Sequence, residues 1–293
     1  MKVGLIGFGN TGKSIASILL QSEDASLEWV LRQSTDLENR KAGDFLGIIN
    51  DESGRIYSTQ NTSIAELLEK SPVDVIVDFS HASAIRAYGE EACKRGITII
   101  SAISRYPLDM LNYIADLALT TRIIHSPNLS IGVNFVLIAA KILKAIVPVT
   151  DVAVIEKHFL DKKEASGTAK ALAATLGVEE NEIKSVRAQG VVDVHEVQFG
   201  FPHQTIHLKH ESISHEAFGS GILFALKNLP RRAVGLFTME DILLPYFQQQ
   251  IRGHQEIRNA RQERVIKSDR IRPWQERDMN LLQFAHRRHL SDI

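Results

Sequence analysis

The sequence has a single cysteine, Cys93, among its 293 residues, so the chain cannot close an intrachain disulfide. Disulfides are rare in reducing compartments, and a chain of this length buries enough apolar surface to fold without them. The net charge is −1, which gives no overall basic field of the kind that nucleic-acid-binding proteins use. We therefore expect a protein that does not bind nucleic acid.

Long apolar runs are missing as well. No window of about 18 consecutive apolar residues occurs, so we expect no membrane-spanning helix and no membrane partner. Near the amino terminus, the apolar run at residues 3–6 stops at a glycine cluster, without the longer apolar stretch and cleavage site of a signal peptide. The expected location is the cytoplasm.

Short apolar runs alternate with segments of helical spacing through the first half of the chain. The runs that indicate buried strands lie at residues 3–6, 27–31, 73–79, 97–100 and 122–125. The segments that indicate helices lie at residues 12–21, 64–68, 82–95 and 107–119. Strands that alternate with helices predict an α/β fold, a doubly wound parallel sheet with helices on both faces.

The pattern changes after Asn128. A long apolar helix is predicted over residues 133–146, and a later helix over residues 216–228 precedes a short final element at residues 235–243. Between these helices, strands are predicted at residues 152–155, 185–189, 195–199 and 205–210. Because no helical segment separates the strands after residue 185, we expect them to pair antiparallel in a second domain of α+β type.

The carboxyl-terminal segment, residues 249–293, differs in composition from the rest of the chain. It carries ten lysines and arginines against six acidic residues and has no strong apolar stripe. We interpret it as a solvated charged extension, either helical or disordered, and a partner-binding arm is the alternative.

A glycine-rich motif stands between the first predicted strand and the first predicted helix. Gly7, Gly9 and Gly12, with Asn10 and Thr11 between them, give the pattern G-x-G-x-x-G. In dinucleotide-binding proteins the three glycines permit a tight turn, a close approach of the pyrophosphate and close packing of the helix on the strand. The helix start then offers N–H groups and a partial positive charge to the phosphates. We therefore expect a Rossmann domain that binds NAD or NADP, a glycine-rich turn without a ligand being the alternative.

The end of the second predicted strand bears on the choice of cofactor. Residues 30–35 contain no carboxylate that would hold the ribose 2′-hydroxyl of NAD. Arg32 lies there instead, and a guanidinium binds a 2′-phosphate through two parallel hydrogen bonds. NADPH is therefore favoured over NADH, and a surface arginine with no ligand is the alternative.

A second group of polar residues follows a predicted strand and opens a helix within residues 154–169. Ser166, Gly167 and Thr168 lie at the helix start, where a hydroxyl caps the helix or, with backbone N–H groups, holds a carboxylate. His158 suits proton transfer near neutral pH, and the two lysines that follow it supply positive charge for an anionic substrate. Simple helix caps and solvated lysines are the alternative.

With these motifs the sequence resembles the dihydrodipicolinate reductase family, now called 4-hydroxy-tetrahydrodipicolinate reductase. The family signature reads approximately E-x-H-H-x-x-K-x-D-x-P-S-G-T-A, against V-I-E-K-H-F-L-D-K-K-E-A-S-G-T-A in residues 154–169. Further segments match in the same order, at residues 77–80, 126–134, 195–197, 210–212 and 235–239. The resemblance extends over about residues 1–243.

The resemblance implies how the chain is divided and what it does. Residues 1–128, completed by residues 216–248, would form the Rossmann domain, and residues 129–215 a substrate-binding domain that also builds a homotetramer. The family reduces a cyclic imine dicarboxylate with a hydride from NADH or NADPH, in the synthesis of diaminopimelate and lysine. No metal ion is expected.

The resemblance also implies roles for individual residues. His158 matches the proposed proton donor and Lys162 the signature lysine of the family. Ser166, Gly167 and Thr168 match the turn that binds a substrate carboxylate. The cofactor positions that the resemblance adds are Phe79, Ser101, Ile103 and Asn128.

Several positions depart from the family pattern. Phe159 replaces the second histidine, and one residue is missing before the Ser-Gly-Thr turn, which leaves the lysine assignment open between Lys162 and Lys163. The family's G-T-T-G loop appears as residues 101–104, S-A-I-S, and His215 stands where the family has an arginine. Two alternatives therefore stay open: a diverged NAD(P)-dependent reductase of another small carboxylate, and a cofactor-binding protein that has lost catalysis and serves regulation or assembly.

The glycine motif gives the first prediction. Replacing Gly9 by valine puts a side chain where the pyrophosphate must approach. We expect the variant to stay folded and to bind NAD(P)H at least about tenfold more weakly, a loss of roughly 1.4 kcal/mol or more. Fluorescence titration with the cofactor measures the loss, and circular dichroism checks the fold. An unchanged titration in a folded variant would remove the pyrophosphate site from this loop.

Overall fold

The structure is a computed structural model that describes residues 1–48, 54–230 and 234–266, with side chains described as far as residue 252. The strands of this part are β1 (Lys2–Ile6), β2 (Ser26–Arg32), β3 (Arg55–Ser58), β4 (Val75–Asp78), β5 (Thr98–Ser101), β6 (Arg122–His125), β7 (Asp151–His158), β8 (Lys184–Arg187), β9 (Asp193–Phe201), β10 (Gln204–Ser212) and β11 (Gly235–Phe237). The helices are α1 (Asn10–Leu20), α2 (Ala42–Leu46), α3 (Ile64–Lys70), α4 (Ile85–Lys94), α5 (Leu108–Leu117), α6 (Ile131–Ile146), α7 (Gly167–Leu176), α8 (Glu216–Lys227) and α9 (Met239–Ile266).

Seven of the strands form one parallel sheet, in the order β3-β2-β1-β4-β5-β6-β11. The first six positions have the strand order of a dinucleotide-binding sheet. Its central strands are buried along their whole length, which is why they appear in the sequence as continuous apolar runs. The predicted doubly wound parallel sheet is confirmed.

Helices cover both faces of this sheet. On one face, α1 and α8 pack together in a core that includes Ile15, Leu19 and Ile222. On the other face, α3, α4 and α5 bury a second core around Trp29 and Tyr88. Both faces are therefore closed to water, as a parallel sheet requires.

The last strand of the sheet comes from the far end of the chain. β11 pairs in parallel with β6, with Gly235 opposite Arg122, after the chain has completed the second sheet. The helix that precedes β11, α8, packs against α1. The chain thus leaves the first sheet after β6 and returns to it to complete its edge.

The second sheet has four strands in the order β10-β9-β7-β8. The helices α6 and α7 pack on one of its faces, over a core that includes Val154, Val197 and Phe199. This mixed sheet with helices on one face is the predicted second domain of α+β type.

The pairing of β8 differs from the prediction. β8, the strand predicted at residues 185–189, pairs with β7 and is parallel to it, so the expected antiparallel pairing is wrong for this strand. The reason is the connection, because α7 lies between β7 and β8 in the chain and a helical crossover joins parallel strands. β9 and β10 pair antiparallel as predicted.

The chain divides into two compact units, Met1–Pro245 and Tyr246–Ile293. Both sheets belong to the first unit. Of the charged extension predicted over residues 249–293, the described part is helical as far as Ile266, and residues 267–293 lie outside the described residues. None of the helices in the described ranges combines the length and the apolar character needed to cross a membrane.

The division of the chain gives the second prediction. Deleting residues 249–293 leaves both sheets and their cores complete, so the truncated protein should fold and bind cofactor like the full chain. We expect its midpoint of thermal unfolding to stay within about 2–4 °C, the shift that ~1 kcal/mol causes in a chain of this size. Calorimetry and cofactor titration of both proteins make the comparison. An insoluble truncated chain, or one that no longer binds cofactor, would show that the extension supports the core.

Candidate active site

The glycine-rich loop makes a tight turn between β1 and α1. Gly7 has φ +97°, and a side chain there would meet the backbone carbonyl of Phe79 at 2.8 Å, so only glycine fits. A Cβ on Gly12 would overlap the carbonyl oxygen of Gly7, whereas a Cβ on Gly9 would meet nothing within 4 Å. Gly9 therefore faces open space in front of the start of α1, where the first N–H groups of a helix have no partner within the helix.

A cavity of about 1080 Å³ opens on one side of this loop. It is lined by Gly7, Gly9 and Arg32, and also by Ser34 and Thr35 from the segment after β2. Arg32 forms an ion pair with Asp36 at 3.1 Å, with one fifth of its side chain exposed. The cavity has the size and the polar rim that a nucleotide needs. Of the cationic residues that line it, Arg32, Arg86 and Lys94, the first lies at the end of the second strand.

A second cavity, of about 500 Å³, opens where the two sheets meet. Thr11 on α1, Phe79 after β4 and Ser104 after β5 line it from the side of the first sheet. The second domain contributes His158, Lys162 and the turn of residues 166–168. Phe79 lines this cavity and its neighbour Ser80 lines the first one, so the glycine-rich loop and the end of β4 lie between the two. A dinucleotide laid across the loop would thus have its ends in both cavities.

Polar side chains make two cross-strand rows beside the second cavity, on three neighbouring strands. In one row, His158 on β7 is opposite Asp193 on β9, and Asp193 is opposite Ser212 on β10. In the next row, Glu156 is opposite His195, and His195 is opposite His210. Five of the six side chains are buried, so this end of the sheet holds polar groups where the other end holds apolar ones.

Glu156 is fully buried and has several hydrogen-bond donors. One carboxylate oxygen accepts from the backbone N–H of Ser166 at 2.9 Å, and the other accepts from Ser185 Oγ at 2.8 Å and Arg187 Nη2 at 2.9 Å. Burial raises the pKa of Glu156, but hydrogen bonds from His158, Ser166 and Ser185 outweigh it and hold this pKa far below its usual range. The group is a carboxylate at any physiological pH.

His158 and Lys162 lie together at the wall of the cavity. The Nδ1 atom of His158 is 3.2 Å from the carbonyl oxygen of Val192, and its Nε2 atom is 3.3 Å from both Lys162 Nζ and Glu156 Oε2. Burial lowers the pKa of Lys162, while Glu156 and other charges partly offset this effect. Lys163 is exposed and lines neither cavity described here, so the geometry singles out Lys162.

The turn of residues 166–168 begins α7. Ser166 is the N-cap, and its Oγ accepts from the backbone N–H of Ala169 at 3.0 Å, as a capping hydroxyl does. A Cβ on Gly167 would lie 3.1 Å from the carbonyl oxygen of Ser104, so the turn packs closely against the loop after β5. Gly167 and Thr168, the first two residues of α7, also line the cavity, and the first N–H groups of a helix have no partner within the helix.

Of the remaining residues that were predicted to bind the cofactor, some line a cavity and others do not. Asn128 lines the cavity and accepts a hydrogen bond from Ser130 N, while its amide donates to Asp193 Oδ2 at 3.2 Å. Ser101 and Ile103 are buried, and neither lines the two cavities, whereas their neighbours Ala102 and Ser104 line the second one. Asn10 is exposed at the start of α1.

Three residues of the site were not predicted from the sequence. Glu156 lies in the segment that matches the family signature but was given no role, and Asp193 and Arg187 carry no motif that identifies them. A signal for these residues was available in the sequence: polar residues two positions apart at the end of an apolar strand. Alternate residues of a strand share a face, so such residues lie side by side. The sequence predicts no metal ion, yet the structure groups Glu156, His158 and His195, whose candidate ligand atoms lie within 4.8 Å of one another. That prediction stays untested.

Comparison with known proteins places the chain in a family. The family model "Dihydrodipicolinate reductase, N-terminus" matches residues 1–129, and "Dihydrodipicolinate reductase, C-terminus" matches residues 130–243. The 4-hydroxy-tetrahydrodipicolinate reductase of Caldanaerobacter subterraneus subsp. tengcongensis is 31% identical over 196 residues, which cover 59% of this chain and 78% of the relative. The enzyme of the same name from Myxococcus xanthus is 28% identical over 214 residues, covering 65% and 79%.

Solved structures show the same fold. A dipicolinate-bound dihydrodipicolinate reductase from a Paenisporosarcina species superposes with a TM-score of 0.67 at 21% identity, covering 83% of this chain and 99% of the other. An amine dehydrogenase from Mycobacterium smegmatis superposes with a TM-score of 0.59 at 12% identity, covering 82% and 95%. Since the two family models together span residues 1–243, this chain belongs to the dihydrodipicolinate reductase family.

Proposed function

We propose that the protein reduces 4-hydroxy-tetrahydrodipicolinate to tetrahydrodipicolinate with NADPH or NADH, in the synthesis of diaminopimelate and lysine. The observation that carries the proposal is the second cavity, where His158, Lys162 and the turn of residues 166–168 surround one space beside the glycine-rich loop. The names of the relatives support the substrate. An acid, a cation and a carboxylate-binding turn are the groups that reduction of a dicarboxylate imine needs.

The cofactor supplies a hydride when it is bound, and the first domain has the residues to hold it. The open space at Gly9, the tight turn at Gly7 and the start of α1 suit a pyrophosphate. Arg32, with Ser34 and Thr35 beside it, suits a ribose 2′-phosphate, so we propose that NADPH is preferred. Phe79 and Asn128 are proposed to contact the nicotinamide end, since both line the second cavity.

The second domain provides for the two charged ends of the substrate. The N–H groups at the start of α7, with the hydroxyls of Ser166 and Thr168, suit one carboxylate, because helix starts bind anions. Lys162, beside His158, supplies positive charge to the reacting half of the ring. These contacts hold the imine carbon within reach of the cofactor.

His158 is the proposed proton donor. Both of its ring nitrogens face acceptors, Val192 O and Glu156 Oε2, so the protonated ring is held in one orientation. Hydride addition places electron density on the imine, and the proton of His158 neutralises it. Lys162, 3.3 Å from Nε2, is the nearest group that carries a proton toward the histidine afterwards.

A diverged reductase of another small carboxylate is the second candidate. Phe159 favours it, because this half-exposed ring lines the cavity where the family has a histidine. Loss of catalysis is not favoured by the site, since the acid, the lysine and the carboxylate turn meet at one cavity.

The division of the chain and its assembly belong to the same proposal. We assign residues 1–128 and 216–248 to the cofactor domain, residues 129–215 to the substrate domain and residues 249–293 to the charged extension. A homotetramer formed through the second domain is supported by exposed apolar side chains on α6, namely Phe135, Ile142 and Ile146. The cytoplasm is the proposed location.

Arg32 gives the third prediction. If its guanidinium holds the 2′-phosphate, Arg32→Ala should weaken NADPH binding at least about tenfold, since a hydrogen bond to a charged group contributes roughly 1.5–3 kcal/mol. NADH, which lacks that phosphate, is the internal control and should bind as before. Titration of the variant with both cofactors measures the difference. Equal losses for the two cofactors would make Arg32 a surface residue without a ligand.

Steady-state kinetics with the family's substrate, generated in a coupled reaction, give the fourth prediction. His158→Gln should lower kcat by about 10²–10⁴-fold, the contribution of a positioned general acid, with little change in NADPH affinity. Thr168→Ala should mainly raise KM, because a carboxylate contact present throughout the reaction is uniform binding.

The two lysines provide a matched pair for the same assay. Lys162→Ala should slow turnover more than Lys163→Ala, because Lys162 Nζ contacts His158 and Lys163 is exposed. Wild-type protein that binds NADPH without turning over this substrate would favour the second candidate. A His158→Gln variant as fast as the wild type would remove His158 from catalysis.

A further inference from the structure

His195 lies behind the carboxylate turn and is fully buried. Its Nε2 atom is 2.9 Å from Ser166 Oγ, and it is in the polar row between Glu156 and His210. His195 lies outside the signature of residues 154–169 and begins the matching segment 195–197, but no role was assigned to it and the mechanism above does not use it.

The Ser166 hydroxyl can form only a small number of hydrogen bonds. A hydroxyl has one hydrogen to donate and two lone pairs that accept. One lone pair accepts from the N–H of Ala169, so the contact with His195 uses either the hydrogen or the second lone pair. If Ser166 donates to His195, it has no hydrogen left for a carboxylate. If His195 donates to Ser166, the hydroxyl hydrogen is free to point out of the turn.

The surroundings of His195 allow the second arrangement. Burial lowers the pKa of His195, although Asp193 opposes the effect, so the ring is neutral at pH 7 and carries one hydrogen. The Nδ1 atom of His195 has no hydrogen-bond partner in the described part of the chain, and neither has Nδ1 of His210, its cross-strand neighbour. Placing the hydrogen of His195 on Nε2 therefore breaks no hydrogen bond at Nδ1, from which Asp193 Oδ2 is 4.0 Å away.

We propose that His195 is a positioning residue, which donates its Nε2 hydrogen to Ser166 Oγ and so directs the Ser166 hydroxyl hydrogen toward a substrate carboxylate. This inference rests on the proposed function and deepens it. His195 does not touch the substrate and acts through Ser166 alone. The ligand class is a carboxylate seated at the start of α7.

A double-mutant cycle with dipicolinate as the probe tests this role. His195→Leu removes the donor, so the Kd for dipicolinate should rise about tenfold, in line with a hydrogen bond to a charged group. His195→Gln keeps an N–H donor near the place of Nε2 and should bind within about threefold of the wild type. In a Ser166→Ala background, His195→Leu should change the Kd less than about twofold, since the two residues act as a pair.

The design separates this inference from general damage to the protein. His207→Leu, on the same strand as His210 but half-exposed and paired with Glu196, is the matched control and should leave the Kd unchanged. All variants are dialysed against EDTA first, because dipicolinate chelates metal ions, and are checked by thermal unfolding. In the enzymatic assay, the loss in His195→Leu should appear in KM and leave kcat within about threefold.

The outcomes distinguish the two proposals. Wild-type protein that does not bind dipicolinate contradicts the proposed substrate class, and this inference fails with it. Binding by the wild type that His195→Leu leaves unchanged overturns the inference alone. The inference is also overturned if His195→Leu raises the Kd for dipicolinate by the same factor in the wild-type and Ser166→Ala backgrounds. It is overturned as well if His195→Gln binds dipicolinate as weakly as His195→Leu does. In either case His195 would support the fold without orienting the hydroxyl.

Discussion

The carboxylate of Glu156 is the group on which the arrangement of the second cavity depends. It is buried, and it accepts hydrogen bonds from Ser166 at the start of α7 and from Ser185 and Arg187 on β8, next to His158 on its own strand. A buried charge is tolerated only when it is paired, and removing one partner typically costs about 3–5 kcal/mol. The turn of residues 166–168 and the His158 ring are therefore held in register by one anion.

This arrangement concentrates polar groups where the sheet would otherwise bury apolar ones. The inner face of the second sheet is apolar around Val154, Val197 and Phe199 and polar in the two rows beside the cavity. Burying a polar group without a partner costs free energy, and four such atoms lie in these rows, on Asp193, His195, His210 and Ser212. These four atoms therefore reduce the stability that the polar rows contribute.

Much of the first domain could be predicted from the sequence, because buried parallel strands appear as apolar runs and the glycine motif has a strict context. The short elements α2 and β3 were missed, since five- and four-residue elements leave little periodicity. In the second domain the positions of the strands were predicted, but the pairing of β8 with β7 was not. The contacts of Glu156 with β8 and with α7 depend on strand register and on a crossover, which spacing along one chain does not encode. For the same reason, the sequence did not predict the contact between His195 and Ser166, which are 29 residues apart.

The return of the chain to the first sheet has a consequence for synthesis. β6 pairs with β5 on one side, and on its other edge it pairs with β11, which lies more than 100 residues later in the chain. A nascent chain that has emerged as far as β6 therefore exposes an open strand edge, and such edges template intermolecular pairing. The whole second sheet must be translated before that edge closes. The first sheet, although it begins at the amino terminus, is therefore the last of the two sheets to be completed.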